Sequence, residues 1–352
     1  MARLFMRALE MAGFDVQVIS SFRSFDKQGD RSFQEAKLSE AEQEAGALIR
    51  QFQADPSERP DLFFTYHVYH KAPDWIGPKV AKALDIPYYI AEASHAPKQM
   101  NGRWHIGYAG AEAAIRAATR VLHLTRLDGA CLQPLMDQTD QLVHFPPFIE
   151  PLPDHSPVKP TAKWVEAAGG RTNCRNLLAV GMMRDGDKFN SYLQLAEMLL
   201  HLTSDNWQLL IVGDGPRRSD VETLFAPFGS NVVFLGERSE AELASFYEYA
   251  DLYVWPASGE AFGMAFLEAA RAGLPAVSCC TRGVPDVVEN GVSGILVRDG
   301  DMLALANATD QLLNNSEQLA ALSNGAKAFV TEQRSLEAAA ANLSNLIKKD
   351  VE

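Results

Sequence analysis

The chain has 352 residues, 47% of them hydrophobic, and a formal net charge of −13 from 32 basic and 45 acidic residues. The length predicts about two globular domains and excludes a lone small binding module, and the composition excludes a disordered chain. The negative net charge disfavours a nonspecific nucleic-acid binder, because such a protein needs clustered Lys and Arg. No apolar run reaches the roughly 18 residues of a membrane span, so we expect a cytoplasmic protein without a transmembrane segment. Peripheral membrane contact stays open.

In chain order, the first half alternates short apolar runs with segments of helical period, the pattern of β–α–β units around a parallel sheet. Helices are predicted near 2–12 and 34–53, after Pro73 and near 105–117. Strands are predicted at Phe14–Ser20, Asp61–Thr65, Pro87–Ala91, Arg120–Leu124 and Gln141–Phe145. The proline-rich segment that follows, from Phe145 to Asn173, breaks this alternation and marks a domain boundary.

The second half repeats the alternation more regularly. Helices are predicted after most of its strands and from 301 to about 350, and the strands themselves at Asn176–Val180, Gln208–Val212, Asn231–Leu235, Asp251–Trp255, Ala276–Ser278 and Gly294–Val297. We therefore predict an α/β fold with two Rossmann-like doubly wound domains, 1–150 and 176–334, joined by a Pro-rich linker at 151–175. Domains of this kind bind ligands at the carboxyl ends of their strands.

The most informative segment is Trp255–Glu268, where a predicted buried strand ends in a loop of small residues and a helix begins near Phe262. The unpaired N–H groups of a helix start favour an anion. Glu260 and Glu268 flank this start, up to about 12 Å apart at the α-helical rise per residue. The layout suits a nucleotide sugar, with phosphates in the middle and hydroxyls at both ends. The alternative is a pair of ordinary helix residues, one at the dipole and one solvated.

This segment resembles retaining glycosyltransferases of the GT-B fold, in the large group known as glycosyltransferase family 4, whose mark is two Glu residues separated by seven others. The resemblance extends to Val180–Lys188, Leu210–Pro216, Phe234–Gly236 and Gly273–Val277, and covers residues 176–300. It implies that Glu260 contacts the transferred sugar and that Glu268 holds the donor ribose. It also implies a donor-binding role for Phe262, Gly263, Met264, Gly213, Gly236 and Arg238.

The family places a basic pair on the donor diphosphate, directly after the strand that we predict at Asn176–Val180. Arg184 and Lys188 occupy this region, and two cations there would stabilise the charge that develops on the leaving group. Met182 and Met183 intervene before Arg184, which departs from the commonest family spacing and makes Lys188 the better match. The alternative for both is a surface ion pair with a neighbouring aspartate.

The predicted first domain offers two polar loops after strands, Thr65–Lys71 and Glu92–Lys98. The resemblance implies that His95 lies near the transferred sugar. We also take His67 and Lys71 as candidate acceptor-binding residues. For His95 the alternative is a surface loop histidine with no further role.

We expect neither a metal nor another cofactor. Two triplets look like metal-binding motifs, but we interpret both as glycine turns: Asp185-Gly186-Asp187 and Asp299-Gly300-Asp301. The four cysteines lack the CxxC spacing of a metal or redox site. The resemblance implies a retaining hexosyltransferase that uses a nucleoside diphosphate sugar, most often UDP-linked, and a glycan, lipid-linked or small-molecule acceptor. An inactive GT-B protein that binds a nucleotide sugar and a sugar-nucleotide epimerase are the alternatives. A dinucleotide-dependent dehydrogenase is disfavoured, since no strand is followed by GxGxxG.

The two ends of the chain carry separate expectations. By resemblance, a terminal helix within 335–352 crosses back to the first domain, with Leu336, Leu343 and Ile347 on its docking face. At the other end, the chain opens with a helix where a doubly wound domain begins with its central strand. We therefore expect the N-terminal domain to lack its first strand, and expect Met1 to be an internal methionine of a longer protein.

Overall fold

The computed structural model describes residues 1–152 and 161–351, so residues 153–160 of the predicted linker lie outside the described part. The chain divides into two compact units. The first combines Met1–Pro146 with the residues from Ala340 onward, and the second is Pro147–Ala339. One stretch of the predicted linker, Thr161–Ala167, is instead a helix, because Trp164 and Val165 pack into the core of the second unit.

The first unit is a four-stranded parallel sheet with helices. Its strands are β1 (Phe63–Val68), β2 (Tyr88–Ala93), β3 (Arg120–His123) and β4 (Leu142–His144), which lie side by side in that order. Its helices are α1 (Ala2–Met11), α2 (Arg31–Ala54), α3 (Gly77–Leu84), α4 (His105–Ala117) and α5 (Arg126–Leu132). The near-continuous burial of β2 and β3 is typical of parallel strands that are covered on both faces.

The prediction of a strand at Phe14–Ser20 is wrong. This segment is irregular, and Val18 within it is 73% exposed. Its alternation of apolar and polar residues is a strand pattern, but a strand also needs a neighbour that pairs its backbone groups. In the described sheet β1 is an edge strand that pairs with β2 alone. Instead, Ile19 packs against the hydrophobic core of the first unit.

The second unit is a six-stranded parallel sheet with helices. Its strands are β5 (Arg175–Val180), β6 (Trp207–Val212), β7 (Val232–Gly236), β8 (Leu252–Trp255), β9 (Ala276–Cys280) and β10 (Gly294–Arg298). Its helices are α6 (Thr161–Ala167), α7 (Asp187–Leu199), α8 (Arg218–Phe225), α9 (Glu240–Tyr249), α10 (Met264–Ala272), α11 (Met302–Asn314) and α12 (Ser316–Phe329). The strand order β10-β9-β8-β5-β6-β7 is doubly wound.

The reversal of strand order falls between β5 and β8, which are hydrogen-bonded neighbours. The chain continues from β5 to β6 on one side and from β8 to β9 on the other. The loops that follow β5 and β8 therefore diverge, and a crevice opens between them at the carboxyl edge of the sheet. Open α/β sheets bind ligands at such a point.

Glycine is required where the loops after β5 and β6 touch. The N–H of Met183 donates to the carbonyl of Asp214, and a Cβ on Gly213 would lie 2.0 Å from the carbonyl oxygen of Gly181. Gly213 also has a φ of +144°, which few other residues adopt. The backbones of these two loops consequently approach too closely for any side chain at this position.

We expect Gly213→Ala to lower the free energy of unfolding by about 3 kcal/mol, because the new methyl group meets backbone that cannot move aside. Gly169→Ala is the matched control, since Gly169 also has positive φ but no atom of the described residues lies within 4 Å of its added Cβ. Its expected cost is about 1 kcal/mol. Urea unfolding of both variants checks this, and equal losses would contradict the close approach.

The last helix, α13 (Leu336–Val351), contributes its residues from Ala340 onward to the first unit. Leu343 and Ile347 are buried on it. Near its end, the Asp350 carboxylate accepts two hydrogen bonds from the Arg120 guanidinium, at 2.5 and 2.6 Å, and one from the Tyr89 hydroxyl at 2.6 Å. The Asp350 and Arg120 side chains are 8% and 9% exposed, so solvent screens this pair little.

Asp350→Asn is expected to lower the free energy of unfolding by about 2 kcal/mol at neutral pH, the usual value of a hydrogen-bonded charge. Arg120 holds the pKa of Asp350 below its ordinary value of 3.8. The contribution is therefore complete above the unfolded pKa and is lost as pH falls through the lower folded pKa. Urea unfolding from pH 7 to pH 3 should show the stability difference between wild type and variant narrowing as the pH falls below about 4, and a constant difference would contradict the assignment.

Candidate functional site

An ion pair spans the crevice of the second unit. Lys188 lies in the first turn of α7, after β5, and its ammonium contacts the carboxylate of Glu260, which lies in the loop after β8. The two side chains are 20% and 19% exposed. The Lys188 Nζ also lies 5.6 Å from the centre of the Trp255 ring. The two residues that the sequence singled out on separate loops therefore meet at the point where the strand order reverses.

Helix α10 begins at Met264, two residues later than we predicted. Gly263, its N-cap residue, has a φ of 80°, so the chain cannot be helical there. Among the described residues no side chain caps this N-terminus, and the first turn contains no acidic residue. Its first N–H groups and the positive end of its dipole are thus available to an anion beside the Lys188–Glu260 pair.

Glu268 lies on α10 and is held from the neighbouring helix. The hydroxyl of Tyr247, on α9, donates to one carboxylate oxygen of Glu268 at 2.8 Å. Tyr247 is buried, and this burial together with the Glu268 charge raises the pKa of the phenol well above its ordinary value. The phenol therefore stays a hydrogen-bond donor and fixes the carboxylate, whose second oxygen is left for another partner.

We expect Tyr247→Phe to weaken the binding of a uridine nucleotide about three- to tenfold, because the Glu268 carboxylate loses the donor that orients it. Tyr249→Phe is the matched control, as Tyr249 lies on the same helix and makes no contact with Glu268 among the described residues. Isothermal titration calorimetry with UDP measures both affinities. A Tyr247→Phe protein with unchanged affinity would remove Tyr247 from the site.

The other predicted cation, Arg184, is exposed and forms no ion pair within the described residues. Its neighbour Asp185 pairs at 3.0 Å with Arg217, which the sequence analysis did not single out. A second overlooked cation is Arg282, after β9, which donates at 3.3 Å to the carbonyl of Gly259. Neither could be found from local spacing, because Arg217 and Arg282 reach the crevice from other loops.

The remaining predicted donor-side residues lie at the same carboxyl edge. The N–H of Gly213 donates to the carbonyl of Gly236 at 2.9 Å, which joins the loops after β6 and β7. Arg238 does not point free into solvent: its guanidinium lies 5.5 Å from the centre of the Trp164 ring and 3.7 Å from the Glu242 carboxylate. Its contact with a base stays a prediction. Phe262 is partly buried against the hydrophobic core.

In the first unit, the predicted acceptor residue His67 is joined to a residue that the sequence analysis passed over. His67 Nδ1 lies 3.0 Å from the Glu92 carboxylate, which also accepts a hydrogen bond from the Tyr66 hydroxyl. His67 and Glu92 both have positive φ, of 67° and 59°, at the carboxyl ends of adjacent strands. Strain of this kind at non-glycine residues clusters at functional sites. A sequence carries no signal for it.

The other two predicted first-unit residues have partners of their own. His95 Nε2 lies 3.0 Å from the Tyr108 hydroxyl and 3.5 Å from the Glu112 carboxylate, and its side chain is mostly buried. The Lys71 ammonium lies 4.7 Å from the centre of the Trp104 ring. The structure therefore places His67 near the end of β1, and Lys71 and His95 in the loops after β1 and β2, each with a separate set of contacts.

Within residues 1–152 and 161–351, no three His, Cys, Asp or Glu side chains come together as metal ligands could. No helix within these ranges combines the length and the apolar character needed to cross a bilayer.

Residues 174–315 match the family model described as Glycosyl transferases group 1. This match confirms the resemblance drawn from the Glu260 and Glu268 segment. Sulfoquinovosyl transferase SQD2 of Arabidopsis thaliana is 34% identical over 31% of this chain and 22% of its own length. D-inositol 3-phosphate glycosyltransferase 1 of Catenulispora acidiphila is 26% identical over 81% of this chain and 73% of its own.

The chain spans less than half the length of several curated relatives. The match covers 22% of SQD2, and 35% and 40% of two other relatives. Among solved structures, Anabaena Alr3699/HepE in complex with UDP superposes with a TM-score of 0.66 at 16% identity, over 87% of this chain and 82% of that one. This likeness confirms the predicted α/β fold with two parallel sheets as that of GT-B glycosyltransferases.

Proposed function

We propose that this chain, whose residues 174–315 match the family model of group 1 glycosyl transferases, transfers a hexose from a nucleoside diphosphate sugar to an acceptor and retains the anomeric configuration. The observation that carries the proposal is the Lys188–Glu260 ion pair beside the uncapped start of α10. It puts a cation, a carboxylate and free N–H groups together where a doubly wound sheet binds ligands.

In this proposal each part of the donor binds to groups of the site with complementary charge or hydrogen-bonding character. The diphosphate takes the N-terminus of α10 and the ammonium of Lys188, since both favour anions. The Glu268 carboxylate, oriented by Tyr247, accepts hydrogen bonds from the ribose hydroxyls with its second oxygen. Uridine is the base that we propose, supported by the UDP and UDP-glucose complexes of Anabaena Alr3699/HepE.

The ion pair itself suggests how the site responds to the donor. Without a ligand, Lys188 neutralises the partly buried carboxylate of Glu260. A bound diphosphate would compete for the ammonium and leave Glu260 to accept hydrogen bonds from the sugar hydroxyls. As the glycosidic bond breaks, negative charge grows on the departing diphosphate, and Lys188 with the helix N-terminus stabilises it more strongly than in the ground state.

The proposed reaction runs without a metal ion or a covalent intermediate on the enzyme. The cationic side chain and the helix dipole supply the leaving-group stabilisation that a divalent cation would otherwise give. The acceptor then attacks from the same face as the departing diphosphate. His67, held by Glu92, and Lys71 are the first-unit residues that we propose for the acceptor side. For His95, held by Tyr108, we propose a contact with the transferred sugar.

A panel of nucleotide sugars, incubated with the chain and analysed by mass spectrometry, tests the proposal. We expect free UDP and a glycosylated acceptor, or free sugar when water is the acceptor, with no loss on adding EDTA. Conversion of the donor into its epimer without UDP release would indicate an epimerase. Binding without any turnover would indicate an inactive nucleotide-sugar binder, and activity that EDTA abolishes and magnesium restores would contradict metal independence.

A further inference from the structure

A basic cluster lies at the carboxyl edge of the first sheet, within an otherwise acidic chain. The basic cluster consists of Lys27, Lys71, Lys98 and Arg103. None of them forms an ion pair with a carboxylate within the described part of the chain. Three other cations of the first unit, Arg31, Lys37 and Lys79, do pair with glutamates. Unpaired like charges that lie together repel one another, unless an anion lies between them.

The cluster comes from loops that are tied to each other. The carbonyl of Asp26 accepts a hydrogen bond from the Trp104 indole at 3.0 Å, and the N–H of Asp26 donates to the Lys71 carbonyl at 2.8 Å. Packing is just as close, because a Cβ on Gly29 would lie 2.5 Å from the Cβ of Arg103. The turn that carries Lys27 therefore rests on the loop that carries Arg103.

A buried polar network holds these loops in place. The Asp26 carboxylate accepts from the N–H groups of Gln28 and Gly29 and from the Gln34 side-chain amide, each at 2.9 Å. Gln34 is only 2% exposed, and its amide also donates to the Arg103 carbonyl at 2.9 Å. The cations are consequently mounted on a rigid base, which lowers the entropy cost of binding a ligand between them.

An open pocket of about 540 Å³ is lined by residues of these same loops, namely Lys27, Gln28, Gly29, Asp30, Arg103 and Trp104. The Lys71 ammonium lies over the Trp104 ring at its margin, 4.7 Å from the ring centre. His70 adjoins the same ring at 5.6 Å, and its Nδ1 is buried without a hydrogen-bond partner among the described residues. Lys98 lies in the same connection after β2 as Arg103. Burial and the charges of Lys71 and Lys98 lower the pKa of His70.

We propose that the basic cluster binds a phosphate group carried by the acceptor, an inference that rests on the proposed transferase function. Lysine ammonium and arginine guanidinium groups are the usual protein partners of phosphate oxygens. Among the described residues that line the pocket, Asp30 is the one carboxylate, and the two cations Lys27 and Arg103 outweigh it. The acceptor is thus a phosphorylated sugar, polyol or lipid headgroup, and a neutral acceptor is disfavoured.

The two sources of such a phosphate differ in what surrounds it. Phe25 and Met100 lie on the same loops and are 51% and 53% exposed. Apolar side chains beside a basic cluster suit a headgroup at a lipid surface, whereas a soluble phosphorylated sugar needs the cations alone. The shared chemistry is the phosphate monoester or diester, and the experiment separates the two sources.

The test uses the full chain saturated with UDP, so that the donor site is blocked. Phenyl phosphate is titrated by calorimetry, with benzyl alcohol as the neutral probe, and binding to phosphatidylglycerol vesicles is measured by sedimentation. Lys71→Gln/Arg103→Gln should weaken binding about tenfold or more, by loss of two charge-assisted contacts. Lys79→Gln/Lys82→Gln is the charge-matched control on α3 and should leave binding unchanged.

Binding of phenyl phosphate that falls in the first variant alone supports a soluble phosphorylated acceptor. Binding of anionic vesicles alone, lost in the same variant, supports a lipid headgroup. Wild-type protein that binds UDP but neither probe overturns the inference and leaves the proposed function intact. Protein that binds phenyl phosphate but neither binds UDP nor releases it from UDP-sugars contradicts the proposed function and, with it, the acceptor role of the cluster.

Discussion

Lys188→Ala is expected to lower the turnover of the UDP-sugar by about 10²- to 10³-fold, the usual loss when one preorganised stabiliser of a developing anion is removed. Lys188 contacts Glu260 at the point where strand order reverses, next to the open N-terminus of α10. In the proposed reaction its charge acts on the departing diphosphate, where negative charge grows most. Donor affinity should fall as well, because the proposed site has the same ammonium on the ground-state phosphates.

Initial rates of UDP release, measured across donor concentrations, separate the two effects. Lys348→Ala is the control, since Lys348 is an exposed cation on α13, far along the chain from the donor loops. Its kinetics should match those of the wild type. Lys188→Ala protein with wild-type kcat and KM would exclude Lys188 from the site, provided that its unfolding midpoint shows a folded chain.

Glu268→Ala is expected to weaken donor and UDP binding by about 1.5–3 kcal/mol, because an ionised acceptor of two hydroxyl hydrogen bonds is lost. This corresponds to roughly ten- to 150-fold in Kd. Loss of the carboxylate also leaves the buried Tyr247 hydroxyl without its partner, so we expect a lower unfolding midpoint. Glu268→Gln keeps an acceptor for Tyr247 and separates the two consequences.

Calorimetry with UDP measures this loss, and UDP is compared with its 2′,3′-dideoxy analogue. If Glu268 holds the ribose, the wild type should distinguish the two ligands and Glu268→Ala should not. Glu332→Ala, at an exposed position of the second unit, should bind UDP as the wild type does. A Glu268→Ala protein that still prefers UDP to the dideoxy analogue would contradict the ribose assignment.

The strands of the second unit can be predicted well from the sequence, because the positions of its apolar runs agree with the burial seen in the structure. All six predicted strands occur, each within a few residues of its expected bounds. The Lys188–Glu260 contact follows from topology, since neighbouring strands in a doubly wound sheet bring their loops together. The predicted start of α10 is two residues too early, because the positive φ that keeps Gly263 out of the helix cannot be inferred from the sequence alone.

The first unit was harder to predict. Phe14–Ser20 alternates like a strand but is irregular, because alternation does not reveal whether a pairing neighbour exists. His67 and Glu92, the strained pair, are 25 residues apart in the sequence. Tyr247 is 21 residues away from its partner Glu268. No local motif marks either contact. Side chains that support a site from other elements are set by tertiary packing, which single-sequence patterns do not encode.

A crystal structure of the chain with UDP bound tests the central claim most directly. We predict that the diphosphate lies at the N-terminus of α10 within hydrogen-bond distance of Lys188, and that the ribose hydroxyls contact the Glu268 carboxylate. The Lys188–Glu260 contact should lengthen as the ammonium turns to the phosphates. UDP bound elsewhere on the second unit, or in the crevice with Glu268 still free of the ribose, would contradict the account.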